Sequence, residues 1–347
     1  MTNGLPLRLS AMIGIARSMR SWRICHPARP AAKVPVHLMT YDQQIQKLRD
    51  KNLVISNEDS AKAILHRYGY FALITGYKDL LKNRTTKNYL DGTTFEDIVA
   101  IYQFDEQLRE ITFRYLLHIE RHIRSALSYG FCNIYGDNQS EYLDKHNYDI
   151  STRGKEIEVD KLINNYLGRL VNRTTQYAYI EHHKNSHHNV PLWVLVNALT
   201  FGTLSKIYEY SKPQVKSAVS MEYEGITEGQ LRQLLEVLTD FRNVCAHNER
   251  LFTHRCARHD IPDLPLHRKL SIPKNGQEYI YGKRDYFSVV LAFRYMLPHA
   301  DFLTFKSQLS KLLDKAIQQN SKISMPELLR MMGMPANWKK ITAYKKI

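Results

Sequence analysis

The chain has 347 residues, with 49 Lys and Arg against 34 Asp and Glu and a formal net charge of +15. A hydrophobic share of 44% and a charged share of 24% are those of a globular protein with a large core. The four cysteines, Cys25, Cys132, Cys245 and Cys256, show no repeated spacing, which excludes a disulfide framework and points to a reducing, cytoplasmic setting.

Residues 1–41 contain no Asp or Glu but carry Arg8, Arg17, Arg20, Arg23, Arg29 and Lys33. Residues 1–38 read as a basic extension: a disordered tail, an Arg-rich targeting segment, or sequence ahead of a start at Met39. Without those six residues the balance is still 43 against 34, so the remaining chain is basic too. Such an excess favours a polyanionic partner through phosphate neutralisation and counterion release.

From there the apolar spacing is mostly helical. Residues 41–50 set Ile45 and Leu48 on one side of a helix, and 56–81 give two short helices broken near Gly69. Thr93 and Glu96 sit at capping-box spacing, so a helix starts there. In 104–127, Leu108, Ile111, Tyr115, Ile119, Ile123 and Ala126 recur at three- and four-residue steps, a long amphipathic helix. Residues 155–180 are weaker and more polar, and "EHHKNSHH" at 181–188 reads as a solvated loop. The most apolar stretch, "PLWVLVNALTF" at 191–201, is too short for a membrane span and reads as a buried helix. Short helices follow at 203–210 and 214–220, around Pro213. The segment 228–248 carries a stripe of Leu231, Leu234, Leu235, Leu238 and Phe241. An Asn275–Gly276 turn between β-prone runs predicts a small hairpin, 284–319 is helical, and Ser324 with Glu327 caps a last short helix stopped by Gly333. The fold class is all-α, a helical bundle with additional N- and C-terminal helices and one small hairpin. The organisation read is an extension (1–38), an N-terminal helical region (39–103), a core (104–260) and a C-terminal region (261–347).

The stretch "FRNVCAHN" at 241–248 breaks the leucine pattern with Arg242, Asn243 and His247. With Leu231 at zero and 100° per residue, the stripe centres near roughly 330°, Arg242 falls at about 20° and His247 at about 160°. Arg242 therefore points toward the apolar side and needs a partner. The two side chains cannot face one phosphate from a straight, lone helix. They converge if the helix ends or kinks near residue 243, or if a second copy supplies the other half. Chemically the pair suffices for metal-free RNA cleavage. A guanidinium matches phosphate oxygens, and an imidazole serves as general base or acid for attack by the ribose 2′-OH. That requirement for a 2′-OH gives RNA and not DNA.

"FRNVCAHNERLF" resembles the signature of the HEPN superfamily. "YGYFALITGYKDLL", "GTTFEDIVAIYQFDEQLRE", "IERHIRSAL" and "PLWVLVNALTFGTLSKIY" resemble its Abi-like subgroup, the abortive-infection proteins of the AbiD/AbiF type. These stretches run in order from about Tyr41 to Phe252. The resemblance implies an all-α HEPN bundle, a homodimer lining one cleft with Arg and His from both protomers, and a metal-independent endoribonuclease of antiphage defence that leaves a 2′,3′-cyclic phosphate. It makes Arg242 the phosphate-binding arginine, His247 the acid–base residue and Asn243 the orienting polar residue. The alternative is a non-catalytic RNA-binding protein of the same fold that holds a structured small noncoding RNA.

Glu120 and Arg124, four apart, form either a surface ion pair or a support in which Glu120 directs Arg242. Arg121 and the late cluster with Lys339 and Lys340 are candidate RNA contacts, the latter alternatively a frayed tail. Cys245, His247, His254, Cys256 and His259 have metal-ligand residue types, but Cys245 falls on the buried stripe, so no metal and no cofactor is expected. Tyr68, Tyr70, Phe71, Tyr77 and Tyr102 read as core aromatics rather than base-stacking ones.

Overall fold

The computed structural model describes residues 38–320 and 322–346, with Tyr41–Ile347 forming one compact unit. The readings made for the basic extension fall, except at Leu38, outside the described residues.

Helix α1 (Tyr41–Arg49) lays Ile45 and Leu48 against α2 (Glu58–Tyr68), which starts where the Asn57 side chain accepts the Ser60 N–H. It stops at Gly69, whose φ of 79° is the left-handed backbone a glycine tolerates. The second helix expected before residue 81 is instead a π-helical turn, Phe71–Thr75, followed by a 3-10 turn, Lys78–Leu80.

Helix α3 (Phe95–Tyr135) is a single 41-residue rod, about 60 Å long. It runs unbroken through residues 103–104, where the sequence reading divides N-terminal region from core. Its capping box lies one residue later than the sequence spacing suggests. Thr94 accepts the Asp97 N–H at 3.1 Å, and the Asp97 carboxylate accepts the Thr94 N–H at 2.9 Å. Thr93 is buried and gives its hydroxyl to the Leu90 carbonyl, so it is not free to cap.

The weak region after α3 resolves into α4 (Gln139–Leu143), α5 (Arg153–Leu162), a π-helical turn at Ile163–Leu167, α6 (Gly168–Asn172) and α7 (Ala178–His187). The last corrects the loop reading of 181–188. Glu181 accepts from Thr175 and Lys184, and the rings of His182, His183 and His187 pack along the helix. The buried helix expected at 191–201 is instead α8 (Leu192–Leu195), with Trp193 exposed, and a 3-10 turn at Val196–Ala198, followed by α9 (Phe201–Tyr210), α10 (Pro213–Ser220) and α11 (Glu228–Ala246). Then come α12 (Pro265–Lys269) and the hairpin pairing Lys274–Asn275 with Glu278–Tyr279. The expected helix at 284–319 is two helices, α13 (Tyr286–Met296) and α14 (His299–Gln319), separated at Pro298, which lacks the N–H that would continue the ladder. Helix α15 (Met325–Met331) has the Ser324–Glu327 capping box.

The fold is an all-α bundle built on α3. Helices α8, α9, α10, α11 and α14 pack along it, and α13 is buried over its whole length against α11 and α14. Among the described residues no helix is long and apolar enough to cross a membrane.

Candidate active site

Helix α11 begins with a capping box, Thr227 and Gln230, and buries its leucine stripe against α3 and α9. It stays helical to Ala246, with His247 as its C-cap, so there is no break at residue 243. The wheel holds for Arg242. Its guanidinium lies 5.8 Å over the Phe113 ring and its Nε stands 3.7 Å from Oε2 of Glu120, two turns further along α3.

Glu120 is 1% exposed, so the surface-pair reading does not apply to it. Its other oxygen takes Arg124, whose Nη2 also donates to the Leu199 carbonyl at 3.0 Å. One buried carboxylate thus faces two guanidiniums. Oε2 of Glu120, Nε of Arg242, Nε of Arg124 and Oγ1 of Thr239 are buried without a hydrogen-bond partner. Of these, Oε2 of Glu120 and Nε of Arg242 face each other as an ion pair at 3.7 Å, longer than a hydrogen bond. Gly202 at the start of α9 lets that helix approach closely, since a Cβ there would sit 3.3 Å from Thr239.

His247 and Asn243 are exposed, and the His247 ring has no hydrogen-bond or charge partner among the described residues. The backbone around the histidine is nonetheless held firmly. Its N–H bonds the Asn243 carbonyl at 3.0 Å, Asn248 turns left-handed at φ 54°, and the Glu249 N–H returns to the Val244 carbonyl. The following residues reach α3. Asp105, fully buried, accepts the Leu251 and Phe252 N–H groups, the Tyr77 hydroxyl at 2.6 Å and Arg109 at 2.6 Å. Arg109 adds the Glu249 carbonyl at 3.2 Å, and Arg250 adds the Gly76 carbonyl at 2.6 Å. Burial pushes the Asp105 carboxyl upward, while Arg109, Tyr77 and the two amides oppose that shift.

Sequence reasoning missed this network and placed Tyr77 only in the core. The available signal was an Asp and an Arg four apart, set into the apolar side of the long helix. Three of the quoted stretches meet there: the turn after Gly69, the start of α3 and the segment after His247.

Arg121 is exposed on α3, with no hydrogen-bond or charge partner among the described residues. Lys339 and Lys340 are exposed but not frayed, because Trp338 and Ile341 of the same 3-10 turn are buried. Lys339 lies near Lys306, whose pKa burial and the Lys339 charge lower.

The five metal-type residues do not come together as a set. Cys245 is buried, and burial pushes its thiol up to about 12. His259 pairs with Glu236 at 3.4 Å. His254 and Cys256 do meet, with Asp240, which the sequence reading did not name. Nε2 of His254 is 2.9 Å from Oδ2 of Asp240, and the three ligand atoms lie within 4.8 Å of one another. Among the described residues these three could hold a metal ion. As they stand they bond each other, and burial and Asp240 push the Cys256 thiol upward.

A cavity of about 450 Å³ lies beside the Arg124 contact. Leu199 and Thr200 form one wall, and Tyr166, Arg169 and Arg173 of the α6 region form another.

A family model described as Abi-like protein matches residues 63–253. No curated protein and no solved structure matches the chain. Tyr77, Asp105, Arg109, Glu120, Arg124, Arg242 and His247 all fall inside the matched stretch.

Proposed function

The chain belongs to the Abi-like family, and from that premise we propose that it is a metal-independent endoribonuclease of antiphage defence, of the HEPN type. One observation carries the reading. The motif arginine faces a buried carboxylate that also pairs with a second arginine, near the end of the helix that the motif histidine caps.

The proposed reaction needs no metal. His247 takes the proton of a ribose 2′-OH, the 2′ oxygen bonds the adjacent phosphorus as the P–O5′ bond breaks, and the 5′ oxygen takes a proton from water, the histidine returning its own to solvent. Products are a 2′,3′-cyclic phosphate and a 5′-hydroxyl. Arg242 neutralises the charge that builds on the phosphate, and Glu120 with Arg124 keeps it from swinging away. Asn243 orients the substrate. Five residues of unbroken helix separate Arg242 from His247 by about 140° around the axis and about 7.5 Å along it. A second copy packed along α11, with the arginine of one protomer beside the histidine of the other, closes that gap. The active species is therefore a homodimer.

The unpartnered His247 ring favours a second reading, because catalytic bases are usually oriented by a third group. In that reading the fold holds a structured noncoding RNA without cutting it.

The test is cleavage of labelled RNA by the purified protein with and without EDTA, alongside His247→Ala and Arg242→Ala. The nuclease reading expects EDTA-insensitive cleavage with cyclic-phosphate ends, lost in both variants with the fold intact. Intact RNA that co-purifies, with turnover unaffected by His247→Ala, supports the second reading and removes the first.

A further inference from the structure

The cavity beside Arg124 has features the cleavage chemistry does not use. At about 450 Å³ it falls within the size range of small-ligand sites. Arg169 and Arg173 line it one helical turn apart, both exposed and without an acidic partner among the described residues. Tyr166, 46% exposed, and the half-buried Tyr177, whose ring lies 5.7 Å from that of Tyr179, also line it. Asn165 and Gln176 add amide groups that both donate and accept. Asn165 and Tyr166 belong to the π-helical turn Ile163–Leu167, a rare conformation that recurs at functional sites.

An exposed tyrosine, guanidiniums without an acidic partner and amide edges in one concavity match an unstacked nucleotide. The base stacks on tyrosine, its edge meets the amides, and the flanking phosphate meets arginine. The cavity is also wired to the candidate active site. Its wall residue Leu199 accepts from Arg124, Arg124 pairs with Glu120, and Glu120 faces Arg242.

We propose that this cavity is a subsite for one unpaired nucleotide of a single-stranded RNA, stacked on Tyr166 and held by Arg169 and Arg173, and joined to Arg242 through Leu199, Arg124 and Glu120. It rests on the reading of Arg242 and His247 as an RNA-cleaving pair. A base inside a helical stack cannot enter the cavity, so duplex RNA is excluded from the subsite, and unpaired loops or strands are the substrate class.

The experiment measures anisotropy of a labelled oligoribonucleotide on the full chain carrying His247→Ala, which silences cleavage during titration. Single-stranded RNA, the same sequence as a duplex, and a nucleoside monophosphate are compared over a salt series. Arg169→Ala with Arg173→Ala should weaken single-strand binding at least about tenfold and flatten the salt slope by about 1.4, for two lost phosphate contacts. Tyr166→Ala should cost about fivefold or more, with no change in the salt slope. Duplex binding should be weaker than single-strand binding and unmoved by these variants. Variants with unchanged melting that bind single strands with wild-type affinity and slope overturn the subsite. Tight monophosphate binding with no gain for the oligonucleotide overturns its assignment to an RNA strand. Cleavage by the His247 protein is scored in parallel. Loss of binding in the arginine variants without any cleavage by wild type leaves the subsite and removes the nuclease. His247-dependent cleavage with binding untouched by the variants does the reverse.

Discussion

Replacing Asp105 with Asn tests whether the segment after His247 is held by a buried charge. Oδ1 of Asp105 accepts the Leu251 and Phe252 amides, at 3.1 and 2.9 Å, and Oδ2 accepts Tyr77 and Arg109 at 2.6 Å each. An asparagine has one accepting oxygen. Placed at Oδ2 it keeps Tyr77 and Arg109 but turns its NH2 against the Phe252 N–H. Placed at Oδ1 it turns the NH2 against Arg109, which has no accepting form. The better arrangement leaves one buried backbone donor facing another, at about 1–3 kcal/mol, and removes the counter-charge of Arg109, whose side chain is 5% exposed. Breaking a buried pair at one partner costs about 3–5 kcal/mol in all. For a chain of this size that lowers Tm by up to roughly 10 °C. Calorimetry reads the shift, and amide exchange at Leu251 and Phe252 should quicken most. Arg109→Met added to Asp105→Asn should restore part of the stability, because no unpaired guanidinium then remains. A loss below about 1 kcal/mol would mean that the carboxyl is already neutral in the fold, and the argument for a charged anchor would be wrong.

Three further outcomes follow from the same structure. Glu120→Gln leaves Arg124 and Arg242 facing an uncharged amide. Both guanidiniums reach solvent, so the expected loss is about 2 kcal/mol rather than that of a fully buried pair, with a fall in kcat exceeding any rise in KM; an unchanged kcat in a cleaving enzyme counts against Glu120 as a positioning residue. Gly333→Ala places a Cβ 2.1 Å from the Asp285 carboxyl carbon at φ 68°, so the side chain that holds the Gly282 N–H must move, and stability should drop by at least about 2 kcal/mol in a thermal melt. His267 is fully buried, accepts the Leu264 N–H at Nδ1 and bonds the Gly282 carbonyl through Nε2, and burial lowers its pKa. The folded state keeps it neutral, so stability is constant above the unfolded value of about 6.5 and falls as pH drops below it, with a slope of about one proton. Denaturation curves of His267→Gln should lack that part of the slope, and an identical slope would refute the assignment.

Local spacing was enough for much of the fold. The 3.6-residue recurrence of Leu108, Ile111, Tyr115, Ile119 and Ile123 announced α3, and the leucine run announced α11, because an amphipathic helix writes its buried face into the chain at fixed intervals. The same arithmetic put Arg242 on the inward side and demanded a partner for it. The places where the reading slipped are those where a tertiary contact outweighs a local preference. Thr93 has the capping chemistry but is buried, so Thr94 caps; the histidine-rich stretch looks like loop but is the end of α7, where Glu181 accepts from Thr175 and Lys184. The π-helical turns carry no period that a pattern search would find.

The sequence by itself determined the helical class, the stripe that buries α11, and the placing of an arginine on the inward side of that helix with a histidine five positions later at its end. Only the folded chain decided which charges meet. Glu120 faces both Arg124 and Arg242, Asp105 gathers Tyr77, Arg109 and the backbone after His247, and Asp240 joins His254 and Cys256. Partners such as Asp105 and Phe252 stand more than a hundred residues apart, and periodicity reports only which side of a helix is buried. What it is buried against is a property of the whole packing, where a charge withdrawn from water must find its opposite across helices that no local pattern connects.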